Sequence, residues 1–139
     1  MLLEEAASFA KTAHLGQLDD EGKDYYTTHI LQVVEILKSV TDDPIVLAAA
    51  YLHDTIEDTI IGTYGILERM FGKEVADLVM EVTHDGQPDQ KGYYFPRLHS
   101  QKAIMIKFAD RLSNLSRMSS WDQKRKDQYL RKSKFWKSE

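Results

Sequence analysis

Eight consecutive apolar residues, Ile45-Val46-Leu47-Ala48-Ala49-Ala50-Tyr51-Leu52, run directly into His53-Asp54. Two helical turns without a charged side chain must be buried on every side, so the polar pair that closes the run is carried into the interior. A charged Asp left unpaired there costs several kcal/mol, on the order of what unfolds a marginal protein, and a cation or a hydrogen-bond network has to offset it. Companions are available. His29 opens an earlier amphipathic helix and Asp110 ends the core-facing stripe of a later one. Two imidazoles and two carboxylates can therefore meet at one point, a donor set suited to Mn, Fe, Zn or Mg and not to a thiol-loving ion.

Helical periodicity recurs along the chain. Leu3, Ala6, Ala7, Ala10 and Ala13 predict a helix over residues 2–15, and Ile30, Val33, Val34 and Leu37 predict one from Thr28 to Ser39. Asp43-Pro44 supplies an N-cap and a first-turn proline for the buried helix that ends near His53. Thr63 starts a short helix that Phe71-Gly72 ends, and Lys73 to Val82 carries Val75, Leu78, Val79 and Val82 on one face. Asp85 to Gly92 is rich in turn formers and reads as a surface loop. From Tyr93 the pattern turns helical again, with a break near Ser100, and Ala103 to Leu115 is the longest helix of the second half. No strand, repeat or linker between two cores is apparent. The expected fold is all-α, a compact orthogonal bundle of about six or seven helices in one domain spanning residues 1–139.

Composition narrows the function. At 139 residues and 42% hydrophobic content the chain can bury a core without staples, and with no cysteine it has neither disulfides nor thiolate ligands. No stretch is apolar for long enough to span a bilayer, which gives a cytoplasmic protein as the expectation. The net charge of −4 conceals an asymmetry: residues 1–70 hold 13 acids and 4 bases, residues 117–139 hold 8 bases and 3 acids. An acidic chain is a poor partner for duplex DNA, and the basic tail, with Lys124-Arg125-Lys126, reads first as a solvated helix face.

Beyond Asp54, the segment Thr55-Ile56-Glu57-Asp58-Thr59 puts Glu57 and Asp58 within about one helical turn of the cluster. Beside a cation, one carboxylate can take a proton from an attacking water while the other passes a proton to a leaving group. Lys107, Asp110 and Asn114 fall on one helix face, so an ammonium, a carboxylate and an amide project together. A Lys107–Asp110 pair explains two of these and leaves Asn114 over. His14 reads as a core or hydrogen-bonding histidine, His84 and His99 as loop or capping residues, and Tyr93-Tyr94-Phe95, Trp121 and Trp136 as packing, with Tyr94 within possible reach of a base.

His29, His53-Asp54 and Asp110, in that order on helices, resemble the metal ligands of the HD-domain phosphohydrolase superfamily. Further blocks sharpen the likeness: Ala13-His14-Leu15-Gly16-Gln17, Tyr26-Thr27-Thr28-His29, Ala49 to Thr59, Phe71 to Ala76 and Ile106 to Leu115. Together they resemble the hydrolase domain of the RelA/SpoT family and its small stand-alone, Mesh1-type relatives, over residues 5 to about 118. The resemblance implies an all-helical fold and a single Mn²⁺ held by His29, His53, Asp54 and Asp110. It implies catalysis at Glu57 and Asp58 and nucleotide contact near Asn114, with Lys107 on the same helix face as a second candidate substrate contact. The reaction implied is removal of the 3′-pyrophosphate from guanosine tetra- or pentaphosphate, by a monomer or small homo-oligomer. Another phosphorylated nucleotide, or a nucleotide-binding module without turnover, is the alternative. The chain departs from the family at Leu18-Asp19-Asp20-Glu21, where alarmone hydrolases carry an Arg-Lys pair directly after the residue matching Gln17. Three acids there should repel a polyphosphate.

Overall fold

A computed structural model describes residues 1–84, 97–116 and 121–132, the side chains of the last three excepted. The chain forms α1 (Leu2–Ala13), a π-helical turn (Tyr26–Ile30) running straight into α2 (Leu31–Lys38), α3 (Pro44–Leu52) and a single turn, α4 (Thr55–Asp58). It continues with α5 (Tyr64–Phe71), α6 (Lys73–Val82), α7 (Gln101–Leu115) and α8 (Gln123–Lys132). The fold is all-α. Among the described residues the only β-type pairing is an isolated bridge between Leu18 and Asp24.

The apolar run is the axis of the bundle. Helix α3 packs against α1, α2, α6 and α7, and every residue from Val46 to Leu52 is buried. Small side chains at Ala48, Ala49 and Ala50 let these neighbours come close, while Ile30, Leu37, Leu67, Val75 and Ile106 fill the spaces around them. Asp43 caps the helix by accepting from the Ile45 amide at 2.9 Å, and its carboxylate also meets Lys102 Nζ at 3.0 Å, tying the start of α3 to that of α7.

The other end of α3 stops because its last carbonyls find other donors. His53 Nδ1 donates to the Ala50 carbonyl at 2.7 Å and Thr55 Oγ1 donates to that of Leu52 at 2.7 Å. The chain breaks at His53 and Asp54 and restarts as α4, with His53, Asp54 and Thr55 all buried. Helix α1 ends at Ala13 rather than at residue 15, because Gly16 turns the chain with φ of +85°. The helix expected from Thr28 begins two residues earlier, as the widened turn at Tyr26; such π turns recur at functional sites. Ser100 caps α7 by accepting from the Ala103 amide at 3.1 Å, the break expected near that residue. The expected Asp85 to Gly92 loop, the aromatic Tyr93-Tyr94-Phe95 and Trp136 lie outside the described residues.

Gly62 packs where a Cβ would overlap the Thr55 carbonyl oxygen and carbon. Because Thr55 begins the turn that carries Glu57 and Asp58, Gly62→Ala should distort that turn. Stability should fall by about 1–3 kcal/mol, as for overpacked interiors, with a lowered melting temperature in a thermal denaturation scan.

Candidate metal centre and adjoining cavity

His29 from the π turn, His53 and Asp54 from the end of α3 and Asp110 from α7 converge with one donor atom each, all within 4.8 Å of one another. His29 Nε2 lies 2.9 Å from Asp110 Oδ1 and 3.3 Å from Asp54 Oδ2. His53 Nε2 lies 3.2 Å from Asp54 Oδ2 and 3.3 Å from Asp110 Oδ1. All four residues are buried.

Surrounding groups fix which nitrogen of each ring faces this point. A carbonyl oxygen only accepts, so the His53 Nδ1 bonded to Ala50 carries the proton. Ser113 Oγ donates to Gln32 Oε1 at 2.7 Å, which leaves its oxygen to accept from His29 Nδ1 at 2.9 Å. In both neutral rings the Nε2 lone pair then points at two carboxylate oxygens, and four acceptors face one another. Either protons or a cation must sit between them. This arrangement, two imidazoles oriented through their far nitrogens and two carboxylates, fits a divalent ion.

Without an ion, protons hold the cluster together. Burial alone would push His53 down, but the charge of Asp54 and the hydrogen bonds to Asp110 and Asp54 outweigh it and raise its pKa well above 6.5. His29 is also raised, its hydrogen bonds to Asp110 and Asp54 overcoming burial. Conversely, burial would raise both aspartates, yet His53 and His29 hold Asp54 well below the usual range, and Lys107 with the two imidazoles does the same for Asp110.

Two site residues were not among those expected from the sequence, Tyr25 at the metal centre and Gln17 at Asp58. Tyr25 donates its hydroxyl to Asp54 Oδ2 at 2.6 Å, and burial followed by the Asp54 charge raises its pKa far enough to keep it a donor. Its signal was its place four residues before His29, one turn along the same face. Gln17 donates from Nε2 to Asp58 Oδ2 at 3.4 Å. Lys107 is buried and pairs with Asp110 Oδ2 at 3.1 Å, so it sits behind the cluster as a partner of that carboxylate.

Next to the cluster opens a cavity of about 290 Å³, lined by Gln17, Tyr25, Asp58, Asn114, Trp121 and Tyr129 together with Leu18, Asp19, Asp20 and Glu21. Asn114 therefore faces the cavity, where its Nδ2 donates to the Tyr129 hydroxyl at 2.8 Å. Glu57 accepts from the backbone amide of His84, and crowding by protein, then the Asp54 charge, lifts its pKa to about 7. Asp58 is raised by the same two causes. The acidic loop forms the rim. Asp19 Oδ1 accepts from the amides of Glu21 and Lys23, both at 2.9 Å, so this carboxylate braces its own loop. Asp20 meets Arg125 of α8 at 2.7 Å, and the Arg125 guanidinium lies 3.8 Å from the centre of the Trp121 ring. The basic tail thus reaches the cavity through one of its arginines.

Comparison with known proteins agrees with this geometry. An HD-domain sequence profile matches residues 6–90, well over half the chain. The chain belongs to the HD-domain family. Within it, this HD-domain protein is 38% identical to the guanosine-3′,5′-bis(diphosphate) 3′-pyrophosphohydrolase MESH1 of Xenopus tropicalis, over 99% of this chain and 82% of that one. It is 36% identical to the Drosophila melanogaster MESH1, over 76% and 65% of the two chains. It is also 36% identical to the bifunctional (p)ppGpp synthase/hydrolase SpoT of Escherichia coli K12, over 85% of this chain but only 18% of SpoT. A solved structure described as a metazoan ortholog of SpoT that hydrolyzes ppGpp superposes with a TM-score of 0.76 at 33% identity, over 93% of this chain and 79% of that one. This kinship makes the protein a metal-dependent phosphohydrolase. No helix among the described residues is long and apolar enough to cross a membrane.

Raised imidazoles stabilise the ion-free fold below about pH 6.5, and that contribution is lost as pH rises through their folded values. A divalent ion competes with those protons. Removing metal should therefore cost little melting temperature near pH 6 and progressively more towards roughly pH 9, as the four acceptors lose their protons. A thermal scan with and without chelator across that range checks it.

Tyr25→Phe should weaken metal binding by about 10–100-fold, as removal of an outer hydrogen bond to a ligand does, read by competition with a metal indicator.

Proposed function

We propose that this HD-domain protein hydrolyses guanosine 3′,5′-bis(diphosphate) at its 3′-pyrophosphate, in the cytoplasm, with Mn²⁺ held by His29, His53, Asp54 and Asp110. The 38% identity to a relative named for that reaction, across 82% of its length, carries the reading. When bound, the ion would supply Lewis acidity at the phosphoryl oxygen and help make water a nucleophile near neutral pH.

The remaining work falls to side chains of the fold. Lys107 and Tyr25 hold Asp110 and Asp54 in place. Glu57, whose pKa burial and the Asp54 charge lift to about 7, is suited to take a proton from the attacking water. Asp58, on the cavity wall beside Gln17, manages the proton of the leaving group. Asn114 and the aromatic groups Trp121 and Tyr129 also line the cavity, a surface suited to the nucleoside. The acidic rim favours a second reading, a phosphorylated nucleotide of lower charge, because Asp19, Asp20 and Glu21 all line the cavity. A release assay over phosphorylated nucleotides with Mn²⁺ separates the two: pyrophosphate from the tetraphosphate supports the first, phosphate from a less charged nucleotide alone the second.

If Glu57 and Asp58 act on protons and not on the ion, Glu57→Gln and Asp58→Asn should each lower turnover by about 10²-fold or more while bound metal stays near the wild-type level. Metal analysis of the same samples that finds them stripped would reassign both to the ion.

Charge at the rim should limit the tetraphosphate. Of the three acids, Asp19 braces the loop and Asp20 holds Arg125, whereas the carboxylate of exposed Glu21 pairs, among the described residues, with Lys23 alone, at 3.7 Å. Glu21→Lys should raise kcat/KM for the tetraphosphate by about tenfold, or about 1.4 kcal/mol, and the gain should shrink as salt rises. Steady-state kinetics at two ionic strengths reads both effects.

A further inference from the structure

His14 is 1% exposed and belongs neither to the four-residue cluster nor to the lining of the cavity. Its Nδ1 lies 2.7 Å from Gln17 Oε1, and Gln17 Nε2 donates to Asp58 Oδ2 at 3.4 Å. A carboxylate accepts, so the amide nitrogen faces Asp58 and the amide oxygen faces His14. That oxygen also accepts, and His14 Nδ1 therefore carries the proton. Its Nε2 is left as a buried acceptor, with no hydrogen-bond partner among the described residues. Packing alone would favour an apolar side chain here, since an unmet buried nitrogen disfavours folding. The histidine makes sense through the bond its other nitrogen makes.

Local backbone brings the two side chains together. The Gln17 amide donates to the His14 carbonyl at 2.9 Å, and Gly16 takes φ of +85° at the third position of that four-residue turn. The other side of the His14 ring packs on Tyr25 at 5.4 Å between centres, the same Tyr25 that donates to Asp54. His14 thus stands between the mount of Asp58 and the mount of Asp54.

We propose that His14 is a positioning residue: by donating from Nδ1 to Gln17 it orients the amide that holds the Asp58 carboxylate at the cavity wall. The inference rests on the reading of Asp58 as a participant in the hydrolysis. Asparagine places Nδ2 where histidine has Nδ1, so His14→Asn keeps the donor while filling less space. His14→Leu fills the space and removes the donor. Gln17→Glu still accepts from His14 but offers Asp58 only another acceptor.

The test uses the Mn²⁺-loaded full chain for kinetics with guanosine tetraphosphate, and the zinc-loaded or metal-free chain for long-range ¹H–¹⁵N correlation of the imidazoles. The expected spectrum shows His14 as the Nδ1–H tautomer. The expected kinetics show kcat lowered about tenfold or more in His14→Leu and Gln17→Glu with KM moved far less, and most of kcat recovered in His14→Asn although it melts below His14→Leu. Activity that follows stability, with His14→Leu at least as active as His14→Asn, overturns the proposal, as does an Nε2–H tautomer. A wild-type protein that releases no pyrophosphate overturns the substrate reading alone, and the tautomer then decides whether His14 is bonded as proposed.

Discussion

Everything near the site depends on four acceptors being forced to face one another. Ala50 and Ser113 take the Nδ1 protons of His53 and His29, so both Nε2 lone pairs are directed at the carboxylates of Asp54 and Asp110. Such a cluster is repulsive unless something positive occupies it. Helix α3 is packed on four neighbours and cannot retreat to relieve the repulsion, so the interior itself selects for a cation or for protons. The same burial that makes the cluster costly when bare makes it tight and ordered when filled.

Much of this was legible in the sequence, for a physical reason. Burial of an eight-residue apolar run can be read from composition alone, and a His-Asp pair at its end must then be compensated. Helices α3, α5 and α7 carry side-chain caps in Asp43, Thr63 and Ser100, and Gly72 with φ of +94° separates α5 from α6, so their placement was accessible. Other elements left no such mark. The π turn at Tyr26 and the single turn α4 are too short for periodicity to declare. Tyr25 and Gln17 escaped notice as site residues because each reaches the site through a polar atom bonded to a residue 29 or 41 positions away. The Lys107–Asp110 pair, three residues apart on one helix face, could be read from spacing, and the structure forms it at 3.1 Å.

The acidic loop shows how charge and structure can separate. Counting charges makes Asp19, Asp20 and Glu21 equivalent, yet Asp19 is bonded to its own backbone and Asp20 to Arg125, and each is partly compensated before any substrate arrives. Their position on the cavity rim nevertheless keeps their field in the site. The nucleotide accepted there has to tolerate that field, and the arginine that answers it comes from α8, an element beyond the family-matched residues 6–90.

One divalent ion should sit among His29, His53, Asp54 and Asp110. Crystals grown with Mn²⁺ and measured on either side of its absorption edge test it most directly. One anomalous peak per chain is expected, bonded at roughly 2.0–2.3 Å to the Nε2 atoms of His29 and His53 and to one oxygen each of Asp54 and Asp110. A strong peak held by Glu57 and Asp58, with the four residues still in direct contact with one another, would contradict it.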